Sequence, residues 1–244
     1  MCGFAGYLTK CNSRNHDSKN ILNNMGNVIA HRGPDDSGIW YDNNYKAIGF
    51  VHRRLSIQDL SVAGQQPMQS RSGRYIIVFN GEIYNHLLLR KSLKINVPWN
   101  GRSDTETLLA CIELYGIKKT LKKLIGMFSF AIWDVKHKRL TLARDRMGEK
   151  PLYYGFQNGT FLFGSDLISL KQHPDFVGEI RRKSIALFMR FGYIPCPYSI
   201  YNNIFKLPPG SFINIERDVA NPQPEFYWNF KEIVKSNNLG INNL

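Results

Sequence analysis

The stretch MFSFAIWDVKHKRLTLARDRMGEKPLYYGFQNGTFLFGS, residues 127–165, contains four apolar runs in close succession: MFSFAIWD, RLTLARD, PLYYGF and TFLFGS. Runs this short, rich in Phe, Tyr, Leu and Ile and separated by polar residues, are the signature of β-strands. The last two are joined through Asn158-Gly159, the pair favoured in the tight type I′ turn of a β-hairpin. Working back from this block, YIIVF (75–79) reads as a strand buried on both faces, and IWYD (39–42), AIGFVH (47–52) and GFAGYL (3–8) read as further strands. Helical spacing appears at Ile21, Leu22, Met25, Val28 and Ile29, predicting a helix over about 18–30. NHLLLRKSL (85–93), DTETLLACIELYG (104–116) and IALFMRFGY (185–193) read as helices too, with Asp104 and Thr105 forming a plausible N-cap. Residues 56–73 read as irregular. An early strand–helix mixture followed by a strand-rich block predicts a layered α+β fold, not regular βαβ winding. After about Pro222 the chain turns polar and Asn-rich, like a linker.

Of the 244 residues, 43% are hydrophobic and 13% aromatic, enough for a sizeable core. No apolar run approaches the ~18 residues of a membrane helix, and the N-terminus lacks a secretory leader, so a cytoplasmic protein without membrane attachment is expected. Cys2, Cys11, Cys111 and Cys196 are scattered without metal-ligand spacing. Cys111 reads as core and Cys196 as loop; no metal site is expected. The net charge of +13 invites a nucleic-acid reading. The basic residues are dispersed, however, and Lys118, Lys119, Lys122 and Lys123 read as one solvated helix face without aromatic interleaving. Nucleic acid is therefore disfavoured as a partner.

Two features ask for a chemical explanation. Cys2 follows the initiator methionine directly, either by accident or because it carries the chemistry. Asn80-Gly81 ends an apolar strand, and Glu82 and a helical pattern follow it. On the residues alone this is either an ordinary tight turn or a strand-to-helix turn whose Asn amide and Gly N–H could bind an oxyanion.

Taken together, MCGFAGYL, HRGPDDSG, HRRLSIQDLSVAGQQPM, VFNGEIYN, SDTETLL, GMFSFAIWD and LARDRMGEKPLYYG resemble the N-terminal glutaminase domain of glutamine-hydrolysing asparagine synthetases. That domain is a class II glutamine amidotransferase of the N-terminal-nucleophile hydrolase type. The resemblance implies a four-layer αββα sandwich, two antiparallel sheets between helical layers, over residues 2–215, with 216–244 as the approach to a synthetase domain. It implies that Met1 is removed, that Cys2 is the nucleophile with its own α-amine as base, and that Asn80 and Gly81 form the oxyanion hole. It assigns Arg54 to the carboxylate of L-glutamine and Asp104 to its ammonium, in competition with helix capping by Asp104. Ile57, Gln58 and Glu82 are expected to line the pocket through backbone groups. Arg53 is expected at the surface, His31 and His52 as scaffold, and Arg144, Asp145 and Arg146 as structural ion pairs.

The pyrophosphate-binding SGG loop of the synthetase part does not occur in these residues, so no cofactor is expected in this chain; ATP and Mg would serve a synthetase domain in cis or in trans. A homodimer is compatible with the sequence. The rival to an active glutaminase is a catalytically silent domain that binds glutamine or docks on a synthetase; a basic nucleic-acid module is a more distant third.

Overall fold

Gly3–Thr9 forms strand β1, and its alternation is clean: Phe4 and Leu8 join one buried cluster, Ala5 and Tyr7 another. The computed structural model describes residues 2–9, 17–42, 47–93, 98–216, 222–230, 232 and 234. Met1 with its expected removal, Cys11, and most of the Asn-rich tail lie outside these. The chain continues through α1 (Ser18–Asn27), β2 (Asp36–Tyr41), β3 (Ile48–Arg54), β4 (Met68–Gln69) and β5 (Tyr75–Ile83). Helices α2 (His86–Ser92), α3 (Asp104–Tyr115) and α4 (Ile117–Lys123) follow. The strand-rich block is β6 (Gly126–Asp134), β7 (Arg139–Arg144), β8 (Tyr153–Gln157) and β9 (Thr160–Gly164). Then come α5 (Leu167–Leu170), α6 (Arg182–Phe191), β10 (Ile204–Lys206), β11 (Ser211–Ile215) and β12 (Glu225–Phe226).

The strands make two antiparallel six-stranded sheets, ordered β10-β8-β9-β1-β3-β2 and β12-β11-β7-β6-β5-β4. Three apolar clusters show how they stack. Phe4, Leu8, Ile48 and Phe50 of the first sheet meet Ile76, Val78, Trp133 and Leu142 of the second. The outer face of the first sheet packs Ala5, Tyr7 and Val51 on Leu22 and Met25 of α1. The outer face of the second packs Ile77, Phe79 and Phe130 on Leu108, Ile112 and Leu121 of α3 and α4. The result is the four-layer αββα sandwich, with helices outside both sheets. Both faces of each sheet are covered, which explains why YIIVF reads as an unbroken apolar run.

Asn158 and Gly159 take positive φ, +45° and +82°, as the expected β8–β9 hairpin requires. His52 of β3 is fully buried and bridges the sheets, its Nε2 3.0 Å from the Phe79 carbonyl of β5. A carbonyl partner needs the proton on Nε2, and burial holds the ring neutral, with a pKa of about 4. That is a scaffold role. His31 lies exposed on a single turn of 3-10 helix.

Several expectations change. The irregular 56–73 segment contains a turn of 3-10 helix at Val62–Gly64 and strand β4. Arg53 is not a free surface residue: its guanidinium donates to Gly26 O at 3.1 Å and to Asn27 Oδ1, fastening the end of α1 to β3. The polar tail reading stops short as well. Strand β12 pairs with β11, and Tyr227 is buried with its hydroxyl donating to Arg144 O at 2.9 Å. Apolar aromatic residues inside an otherwise polar segment drive that docking.

Candidate active site

Continuing the alternation of β1, Cys2 falls on the side of Phe4 and Leu8, at the rim of the gap between the sheets. The Leu55 N–H donates to its Sγ at 3.3 Å, and the thiol lies 3.5 Å from Leu55 O. Burial pushes the Cys2 thiol up from its ordinary range, and the Leu55 N–H pulls part of the way back. A thiol held protonated in this way needs a base beside it to become a nucleophile. Arg32 fixes the main chain there by donating from Nε to Cys2 O at 3.3 Å.

Asn80 and Gly81 do not form a strand-to-helix turn. They lie inside β5, paired with Ser129 and Phe128 of β6, and the strand runs on to Ile83. The donor arises instead from a free strand edge. β4 covers only Ile76 and Ile77, so the far edge of β5 beyond them is open to side chains. There Phe79 N–H donates to Gln66 Oε1 at 2.6 Å, and Ile83 N–H donates to Asp104 Oδ2 at 2.9 Å. By the two-residue alternation of a strand, the Gly81 N–H points along the same edge, between those two. The Asn80 side chain projects from the face shared by Ile76 and Val78, toward the gap where Cys2 sits. It is buried, and its Nδ2 finds no protein acceptor among the described residues. An unpaired buried donor is costly, about 1–3 kcal/mol, and this one belongs to a residue that lines the same cavity as Cys2.

Arg54, the last residue of β3, is buried as a cation. Its Nη1 donates to Ser61 O at 3.1 Å and its Nη2 to Asp59 O, while the carboxylate of Asp36 stands off at 4.0 Å. The turn at 59–64 that cradles it is tied down by Asp59, which accepts from Ser61 N, Ser61 Oγ and Arg102 N. A Cβ at Gly64 would come within 2.1 Å of Arg54 Nη2, so a larger residue there would displace the guanidinium.

The competition at Asp104 resolves through its neighbour. Ser103 is the N-cap of α3, its Oγ accepting from Glu106 N at 3.3 Å, which leaves the Asp104 carboxylate to Ile83 N–H and the cavity. Burial raises Asp104 to about 6, opposed by its backbone hydrogen bonds. Arg54 and Asp104 thus place opposite charges on one cavity.

That cavity, about 110 Å³, is lined by Cys2, Arg54, Ile57, Gln58, Asn80, Gly81, Glu82 and Asp104 together. Every residue singled out in the sequence for a site is brought to it. Gln58 contributes its side chain as well, Nε2 donating to Glu82 Oε1 at 2.9 Å. The sequence reading missed Leu55, Gln66, Met127 and Lys150, which also line the cavity. Gln66 acts through one amide oxygen aimed at a strand edge, which no local pattern announces. Lys150 belongs to the RDRMGEKP run, in which, among the described residues, Arg144, Asp145 and Arg146 bond to main chain rather than form the expected ion pairs with one another. The Asp145 carboxylate accepts from the N–H groups of Phe128, Met147, Glu149 and Lys150. Arg144 donates to the carbonyls of Lys150, Leu207 and Gly148, and Arg146 to Lys122 O. They form a main-chain clamp that holds Met127 and Lys150 at the cavity wall. Among the described residues no three His, Cys, Asp or Glu side chains gather as a metal site.

Residues 1–228 match the family model described as a glutamine amidotransferase domain. The chain belongs to the glutamine amidotransferase family. It is 38% identical over 220 residues to asparagine synthetase [glutamine-hydrolyzing] 1 of Bacillus subtilis, covering 89% of this chain and 34% of that protein. It is 35% identical over 246 residues to a putative asparagine synthetase [glutamine-hydrolyzing] 2 of Methanocaldococcus jannaschii, covering 93% and 46% respectively. This amidotransferase domain therefore spans a third to a half of the length of the curated relatives it matches. The solved glutamine phosphoribosylpyrophosphate amidotransferase of B. subtilis shares the fold, with a TM-score of 0.65 at 18% identity over 93% of this chain and 49% of that one.

Proposed function

We propose that this amidotransferase domain hydrolyses L-glutamine to L-glutamate and ammonia through a thioester on Cys2, and that the ammonia serves ATP-dependent amide formation by a synthetase domain. The observation that carries the reading is the convergence of the Cys2 thiol, the unpaired Asn80 amide, the Gly81 edge and an Arg54/Asp104 charge pair on one small cavity.

Removal of Met1 leaves Cys2 with a free α-amine of reference pKa about 7.7–8.0, neutral in useful proportion near pH 7.5. The amine takes the thiol proton as sulfur attacks the side-chain carboxamide carbon of glutamine. The Asn80 amide and Gly81 N–H donate to the oxyanion. When the tetrahedral intermediate collapses, the C–N bond breaks and the ammonium gives its proton to the departing nitrogen. Water, deprotonated by the same amine, then attacks the thioester, glutamate leaves, and the thiol is restored. None of these steps consumes a nucleotide or calls for a metal. The reading places the domain in the cytoplasm, where thiols stay reduced. It is tested by supplying glutamine without ATP and following glutamate in the native protein and in Cys2→Ala.

Arg54 holds the substrate's α-carboxylate through a two-pronged guanidinium contact, and Asp104 holds its α-ammonium. Arg54→Ala is expected to raise the KM for glutamine about 10²-fold, as removal of one charge-assisted contact of ~3 kcal/mol would, while kcat falls far less. Because Arg54 also braces the 59–64 turn, Arg54→Lys is the companion variant: charge is kept, the fork is lost, and KM is still expected to rise. An unchanged KM in both would exclude this assignment.

Asp104 supplies a pH test. Its raised pKa means that the carboxylate is charged above about pH 6 and neutral below. Only the charged form pairs with an ammonium, so glutamine stabilises the deprotonated state and its affinity must fall with pH. In Cys2→Ala, which binds without turning over, the Kd for glutamine is expected to rise up to tenfold per pH unit below about 6. Asp104→Asn is expected to bind weakly at every pH, with that slope gone. Calorimetric titration from pH 4.5 to 8 measures both; a flat Kd in the Asp104 protein would remove Asp104 from the ammonium site.

A further inference from the structure

Helix α6 has ten residues, and only Ser184 is buried. A free helix of that length is marginal in water, and amphipathic helices persist by burying the apolar face. Here that face is open. Ile185, Phe188 and Met189, at i, i+3 and i+4, are 43%, 51% and 79% exposed, and Phe191 and Tyr193 extend the patch. Arg182 shares the side of Ile185 and Met189, three and seven residues on, and Lys183 and Arg190, seven apart, line a neighbouring flank. Exposure of large apolar side chains on this scale marks an interaction surface.

The patch is built in at both ends. Arg181 stacks on Tyr198 at 4.2 Å, Gly192 closes the helix in the left-handed conformation, and Ile180 bridges to Tyr201. The following loop is strapped to β10 by Lys206, which donates from Nζ to Ile194 O at 2.5 Å and from N to Pro197 O at 2.8 Å. From β10 the connection reaches the active site in two bonds. Arg144 donates to Leu207 O at 2.7 Å and to Lys150 O at 2.7 Å, and Lys150 lines the cavity.

We infer that the α6 face is the docking surface of the ATP-dependent amide-forming domain that receives the ammonia; the inference rests on the glutaminase reading above. Two observations favour this occupant over a second copy of the chain or a lipid surface. The asparagine synthetases it matches carry more than half of their length beyond the matched portion, so a large body remains to be seated in them. The patch is also bonded, through the β10 segment and Arg144, to Lys150 in a wall of the cavity proposed to release ammonia. Ammonia freed into water is protonated and lost as a nucleophile, so its acceptor must close against this domain. The basic stripe beside the patch fits an acidic rim on that acceptor.

A photo-crosslinking amino acid at Met189, with a control at exposed Asn23 of α1, tests the placement in the cells that make the protein. Peptides of an ATP-dependent amide-forming domain, on the same polypeptide or another, are expected from position 189 and not from 23. Adducts to a second copy of this chain or to lipid, or no adduct at all, would overturn the proposal. In the double variant Phe188→Glu/Met189→Glu, glutamate release by the chain alone is expected to stay within about twofold of the native rate. Amide formation driven by glutamine is expected to fall at least tenfold, with the adduct at a crosslinker placed on Ile185 lost. Unchanged glutamine-driven amide formation would also overturn it. Failure of the glutaminase reading shows separately, as absence of glutamate release from the native chain.

Discussion

Cys2→Ala is expected to lower glutamate release by at least ~10⁴-fold, the scale seen when a covalent nucleophile is removed from an otherwise intact site, while glutamine binding stays within about threefold. The size of the effect follows from how little else in the cavity can attack a carboxamide. Cys2 supplies the thiol in contact with Leu55, and in the proposed mechanism Arg54 and Asp104, which line the same cavity, orient substrate. The binding half of the prediction follows from the same geometry, because the charges proposed to recognise glutamine are carried by residues other than Cys2. Burial keeps the thiol protonated, so sulfur alone is not enough. An intact-mass measurement on the active native protein should show Met1 absent, and a form that retains Met1 should be as inactive as Cys2→Ala. A silent glutamine-binding domain would give the opposite pattern: no glutamate from the native protein and the same background from the variant. Equal rates in native and variant proteins would end the thioester mechanism whatever their absolute value.

The fold was legible where one period dominated. The strand-rich block, the β8–β9 hairpin and the doubly covered β5 followed from residue spacing, because side-chain alternation and turn chemistry are local properties. The site residues were legible through a resemblance, and their chemistry through residue type. What could not be read was which backbone groups remain available. Asn80-Gly81 looks like a turn because helix-forming residues follow it, yet β6 is long enough to keep pairing through Gly126↔Ile83. The free donor then depends on β4 being short, a fact of tertiary pairing. The residue types suggested a cap at Asp104 and Thr105, and only the path of the chain into α3 moves it to Ser103. Arg144 and Asp145 suggest an ion pair by adjacency. Successive side chains of an extended segment point apart, so each instead found main-chain partners across the sandwich.

Asn80→Ala is expected to reduce kcat by ~10²–10³-fold, the usual cost of deleting one oxyanion donor, with KM changed by less than about threefold. The donor is most valuable when negative charge develops on the substrate oxygen, so its loss falls on the transition state rather than on the bound ground state. Asn80 is the better probe of the pair. Gly81 donates through its backbone, which no substitution deletes, and a Cβ there would come within 2.2 Å of Met127 O and 2.6 Å of Phe128 Cα, disturbing β5 and β6 together. Stability separates the catalytic reading from a structural one. Because Nδ2 makes no hydrogen bond within the described residues, alanine removes an unpaired buried donor, and the loss on unfolding should stay near the ~1 kcal/mol typical of a point substitution. A structural asparagine would show the reverse, a marked fall in Tm with kcat preserved in the fraction still folded. Asn80→Asp sharpens the contrast: it keeps the shape but sets a carboxylate against the oxyanion, and should be slower than alanine. A kcat within about fivefold of native in Asn80→Ala would show that the edge of β5 is not where the oxyanion is held.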